Sequence, residues 1–170
     1  MSDIDGFVCP ICNRWHEGLP LDYAYDAPFY WSRRLESDKG SFLNADFCVI
    51  QNEYFFVRSL IEIPILGSDE PFRWGVWGSL SKQNFDRIVG LWADPKLLDE
   101  PPYFSWLSNS IDGYPETLNL RTMMRSRTVN DRPFLQLDES DHPLALDQRI
   151  GITSQRIREI AAEALHQRRE

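Results

Sequence analysis

The chain predicts an α+β fold: a mainly antiparallel sheet of about six strands with two or three helices. Three observations carry this. Short runs of aromatic and β-branched residues alternate with polar ones and are separated by turn residues. Two stretches instead repeat their apolar residues at helical spacing. No repeat, low-complexity tract or linker divides the 170 residues, so residues 1–170 are expected to form a single domain.

Residues 1–20 look irregular and hold the stretch "CPICNRWHEGLP", where a zinc knuckle is expected. "DAPFYWSRRLES" starts a short helix, with Pro28 in its first turn. "FCVI" and "YFFVRSLIEIPI" are the best strand signals, and "QNE" between them is a hairpin turn. Period two places Phe55, Val57, Ile61, Ile63 and Ile65 on one face, with Arg58 and Glu62 on the other. "FRWGVWGSL" is the next strand. Trp77 falls on its less apolar face and is expected at an exposed interface.

Ser81 caps a helix over "KQNFDRIVGLW", where Phe85, Ile88, Val89 and Trp92 share a face. "YFSWL", "LNLRTMMRSRTV" and "FLQL" are further strands. "DESDHPLALDQRIGI" is a polar loop holding at most a helical turn. The C-terminal helix, about 153–168, carries an apolar stripe of Ile157, Ile160, Ala161, Ala164 and Leu165.

Composition excludes several function classes. At 42% hydrophobic and 26% charged, the chain is globular and not disordered. A net charge of −8 opposes non-specific binding to nucleic acid and to anionic membranes. No apolar run approaches the ~20 residues of a membrane span. The acidic "MSDIDGFV" lacks the basic flank of a secretory leader. Three cysteines argue for a reducing compartment, the cytoplasm, over a disulfide framework.

Chemistry concentrates in Cys9, Cys12 and His16. A C-x₂-C turn presents two thiolates from one loop, which is half a zinc site. The remaining cysteine, Cys48, completes a Cys₃His set of Cys9, Cys12, Cys48 and His16 for structural zinc, with His142 as the alternative to His16. Such a set carries about −1, and Arg14 is near enough in sequence to offset it. "CPIC" also resembles a thiol-oxidoreductase dithiol, but that motif opens a helix, and here Gly18 and Pro20 follow at once. "WHEG" begins like a zinc-protease H-E-x-x-H, and Pro20 stands where the second histidine belongs.

Two other clusters offer chemistry. Asp138, Glu139, Asp141 and His142 pack into five positions, and a carboxylate-oriented histidine there would serve a hydrolase. The competing reading is a solvated loop in which Asp141 caps a turn begun by Pro143. Arg121, Arg125 and Arg127 share one strand face, and pairing with nearby acids is the expected fate of such a stripe. No phosphate loop, dinucleotide fingerprint or G-x-S-x-G occurs.

The ordered set "CPICNRWHEGLPLDYAYDAPFYW", "DFCVI", "FFVRSLIEIPI", "WGVWGSLS", "GYPETLNL" and "HPLALDQRIGIT" resembles the bacterial family called domain of unknown function 2199 over nearly the whole chain. The matching positions include Cys9, Cys12, His16, Cys48, Trp74, Trp77, His142 and Pro143. The resemblance implies a bacterial single-domain protein and supplies no catalytic role to carry over. The expectation is a cytoplasmic binding or interaction module with structural zinc and an unidentified protein partner.

Overall fold

The computed structural model describes residues 6–167. The acidic first five residues, on which the reading of no leader partly rests, lie outside the described residues. So does the last residue of the helix expected over 153–168.

The two long strands form as their alternation requires. β5 (Phe47–Ile50) turns back into β6 (Tyr54–Ile63), with Ile50 opposite Tyr54. Gln51 and Asn52 in that turn both take φ of 53°, the left-handed pair that matches strand twist in a tight hairpin. β6 then pairs along its length with β7 (Phe72–Leu80), from Phe55↔Leu80 to Ile63↔Phe72. The odd-numbered apolar residues of β6 are buried as expected, on the inner face.

β8 (Tyr103–Leu107), β9 (Arg121–Arg125) and β10 (Phe134–Leu137) follow as antiparallel neighbours. β10 then returns to β6 in parallel, at Phe134↔Leu60, and the Leu60 N–H donates to Pro133 O at 2.9 Å. The expected mainly antiparallel sheet of about six strands is therefore corrected to a closed five-stranded barrel with mixed strands, β6-β7-β8-β9-β10. The alternation in "FLQL" suits either strand direction, so only the long-range pairing decides closure.

Four strands were not anticipated. β1 (Gly6–Val8) and β2 (Trp15–Glu17) make a small separate hairpin out of the region read as irregular. β3 (Asp22–Ala24) pairs in parallel with the start of β7, and β4 (Phe42–Leu43) with β5. Each is two or three residues long, too short for a period to show.

Helix α1 (Lys82–Gly90) is capped as expected: the Ser81 hydroxyl oxygen accepts from Asn84 N–H at 3.2 Å. It buries Phe85 and Ile88. The expected helix near residue 33 is a 3₁₀ turn, Arg33–Ser37. The polar loop after β10 holds a full helix, α2 (Pro143–Ile150), and α3 (Ser154–Gln167) closes the described chain. A parallel bridge, Ile65↔Ile152, fixes where α3 begins, and α3 buries Ile157, Ile160, Ala161 and Ala162. Among the described residues no helix is long and apolar enough to cross a membrane.

Two apolar clusters result. The main core fills the barrel and the space beneath the helices. A smaller cluster of Cys48, Ile50, Phe56 and Trp77 lies on the outer sheet face, covered by Trp31, Leu35 and Leu43. The expectation of an exposed Trp77 is thus corrected. It does point outward, but it is fully buried and its indole N–H donates to Tyr25 O at 2.9 Å. The irregular segment after β3 crosses over it, and no periodicity in the sequence announces that cover.

Candidate metal centre

The β1–β2 hairpin needs Gly6. Its φ is 152°, and a Cβ there would collide with the His16 carbonyl and lie 2.5 Å from the Trp15 ring. The loop between the strands is closed by Cys9 N–H to Arg14 O and Asn13 N–H to Cys9 O, each 2.9 Å. Asn13 takes φ of 59°, a conformation asparagine tolerates, which brings the chain back under the two cysteines. No helix starts at Cys12, so the redox-motif context is missing.

Cys9 is fully buried and Cys12 partly so. Burial pushes the Cys9 thiol up. Hydrogen bonds from the backbone N–H groups of Cys12 and Ile11, and from the Cys12 side chain, outweigh that and hold it below its ordinary value. The Ile11 N–H to Cys9 Sγ distance is 3.4 Å. Backbone donors aimed at sulfur favour thiolate, the form that binds metal.

The third group comes from the far end of the chain. His166 in the last turn of α3 places Nε2 3.4 Å from Cys9 Sγ. The ligand atoms of Cys9, Cys12 and His166 all lie within 4.8 Å of one another. His16, on β2 opposite Phe7, puts its Nε2 3.3 Å from Cys12 Sγ, although it stands outside that group of three. Its ring leans on Phe7 at 5.6 Å between centroids, and a cavity it lines is shared with Ala161, Ala164 and Leu165 of α3. The hairpin therefore faces the helix that delivers His166.

These distances fit zinc. Tetrahedral bonds of about 2.3 Å to sulfur and about 2.05 Å to nitrogen give a sulfur–nitrogen edge of about 3.5 Å. Two thiolates would balance Zn²⁺ to zero charge whatever neutral imidazoles joined them, which suits a site containing a fully buried sulfur. The donor set is the soft and borderline kind that zinc takes.

The structure does not bring Cys48 to this group. Strand alternation turns it outward, opposite Phe56, into the second cluster, where burial pushes its thiol up to about 12. His142 is not there either. Its Nδ1 accepts from Leu144 N–H at 3.1 Å as the cap of α2, and its Nε2 lies 2.9 Å from Glu116 O. The cap is thus His142 and not Asp141. Glu139 pairs with Arg149, Asp138 with Arg121, and Arg127 with Glu62, so the arginine stripe largely meets acids as expected.

Sequence reasoning missed His166. One signal was available: it lies one helical turn beyond Ala162, on the flank of the apolar stripe.

The family described as "Uncharacterized protein conserved in bacteria (DUF2199)" matches residues 8–152. The chain belongs to that family. The DUF2199 match contains Cys9, Cys12, His16, Cys48 and His142, whereas His166 follows its end. No curated protein and no solved structure matches the chain.

Proposed function

We propose that this DUF2199 protein is a zinc-stabilised, non-catalytic binding module of the bacterial cytoplasm. One Zn²⁺ is held by Cys9, Cys12, His166 and His16. The observation that carries this is the convergence of two thiols and an imidazole, drawn from opposite ends of the chain, within 4.8 Å. A fourth protein ligand, His16, leaves no open position for water or substrate, which makes the metal structural. Its work is to clip the N-terminal hairpin to α3. Thiolate ligands that must stay reduced suit the cytoplasm.

The support for His16 as fourth ligand is its contact with Cys12 and its place against α3. The hydrolase alternative draws no support from His142, because both ring nitrogens are engaged with backbone groups.

Cobalt substitution tests the reading. Co²⁺ added to metal-free protein should give the strong visible bands of a tetrahedral site and a thiolate charge-transfer band, at one equivalent. Absence of both, together with immediate reaction of Cys9 and Cys12 with a thiol reagent in protein purified without chelator, would sink it.

A further inference from the structure

We infer that the outer face of the barrel carries a binding groove for an uncharged saccharide. The inference rests on the binding-module reading and not on the metal.

The groove is built by strand register. On the outer face, Cys48 lies opposite Phe56, Phe56 opposite Ser79, Ser79 opposite Trp106, and Trp106 opposite Arg121. A small serine thus sits between two large rings. Phe56 and Trp106 are two strand spacings apart, about 9.6 Å. Phe56 is itself only 2% exposed, with Tyr30 stacked on it, so a flat ring above Ser79 would have Trp106 on one side and Tyr30 on the other. Tyr30 stacks on Phe56 at 6.1 Å, and Phe104 meets Trp106 edge-on at 4.9 Å, which extends both walls. The resulting cavity is about 740 Å³, within the range of small-molecule sites.

The walls are exposed where core residues would not be. Tyr54 is 52% exposed, Tyr30 44% and Trp106 42%. Adjacent exposed aromatics on a soluble surface mark a binding site more often than single ones do.

The chemistry between the rings selects the ligand. The Ser79 hydroxyl oxygen accepts from Trp106 N–H at 3.2 Å, so its own proton is left to donate. Asn119 Oδ1 accepts from Tyr30 O–H at 3.0 Å, which leaves both amide protons to donate. Glu53 supplies acceptors and is the only formal charge among the described residues lining the groove. An anion is disfavoured by Glu53 and by the net charge of −8, and the cations nearest the rings, Arg121 and Lys82, are already paired with Asp138 and Asp86. A cation is disfavoured as well. The Arg121 guanidinium already sits 5.2 Å from the Phe104 ring and 6.0 Å from the Trp106 ring, and Lys82 lies 6.0 Å from the Phe55 ring. A wholly apolar ligand would strand the serine and amide groups. A sugar satisfies every element: C–H faces against the rings, hydroxyls against Ser79, Asn119 and Glu53.

The test titrates the full chain with maltohexaose, cellohexaose and chitohexaose, and with a heparin hexasaccharide as the anionic control, read by amide chemical shifts. At least one neutral glycan should bind with a Kd of about 1 mM or tighter, and heparin should not. Trp106→Ala and Tyr54→Ala, made separately, should each weaken binding about tenfold, the size of one lost ring contact. Both should keep the wild-type melting temperature and metal content. No shift with any neutral glycan at about 10 mM overturns the inference. So does binding that both variants leave unchanged. A concentration-dependent dimer that Trp106→Ala abolishes would show the groove to be a self-interface and overturn it too. Metal content, measured on the same samples, reports separately on the zinc reading.

Discussion

Cys9 Sγ and His166 Nε2 lie 3.4 Å apart, although 157 positions separate them in the chain. The contact joins the first described hairpin to the last described helix. A metal there closes nearly the whole chain into one loop, so its loss should loosen both ends together.

His166→Ala should therefore reduce zinc affinity by more than about 100-fold, above the loss typical of an outer-shell partner. It should also lower the melting temperature and deprotect the amides of β1, β2 and α3 first. A chelator competition assay with hydrogen exchange checks this. Unchanged affinity would remove His166 from the site.

Cys48→Ala should leave zinc stoichiometry intact, because that thiol packs with Ile50, Phe56 and Trp77. In the native protein Cys48 should resist alkylation in mildly alkaline buffer. Burial raises its pKa from 9.0 to about 12, so the folded state holds a proton that the unfolded state has lost. Its contribution to stability is complete below 9.0 and disappears as pH rises toward about 12. Wild type and Cys48→Ala should thus converge or cross in denaturant melts over that window.

Glu100 should make the fold acid-sensitive. Arg87 grips its carboxylate from both oxygens and the Tyr103 hydroxyl donates to it at 2.6 Å. Those bonds hold it at about 2 against an ordinary 4.5. The unfolded chain binds the proton first as pH falls, so stabilisation is present above 4.5 and is lost between 4.5 and about 2. Glu100→Gln should flatten that part of the stability profile, measured by urea melts. An unchanged slope would count against the pairing.

Gly78→Ala should destabilise the barrel by about 1–3 kcal/mol through overpacking. A Cβ there would lie 2.5 Å from Ser105 Oγ and 2.9 Å from Met124 Cε, both inside the closed sheet. An open sheet would tolerate the methyl group, so a neutral result would argue against closure.

His142→Ala should cost about 1 kcal/mol, as loss of a helix cap does, and His142→Asn should recover most of it. A hydrolase base would not be rescued by asparagine. Thermal melts of the two variants decide between these roles.

The strands from β5 to β10 and helices α1 and α3 were legible because each is long enough, or patterned enough, for its period to show. The pairing of Cys9 with Cys12 was legible for the same local reason: a turn sets their spacing. At His142 the favoured reading, a capped turn begun by Pro143, named Asp141 as the cap, and the cap is the neighbouring His142, because a histidine beside acids looks alike in sequence whether it caps a helix or abstracts a proton. Cys48 drew attention by count, and strand alternation carried it to the other face.

By itself, then, the sequence determined the α+β class, the inner face of β6, the close spacing of Cys9 and Cys12 and the family. Those follow from local period and local turn chemistry. Tertiary structure alone decided that the sheet closes through β6 and β10, that Trp77 is covered, and that His166 meets Cys9. Each of these joins residues far apart in the chain, and long-range pairing is set by how all the buried faces pack together, which no single segment encodes.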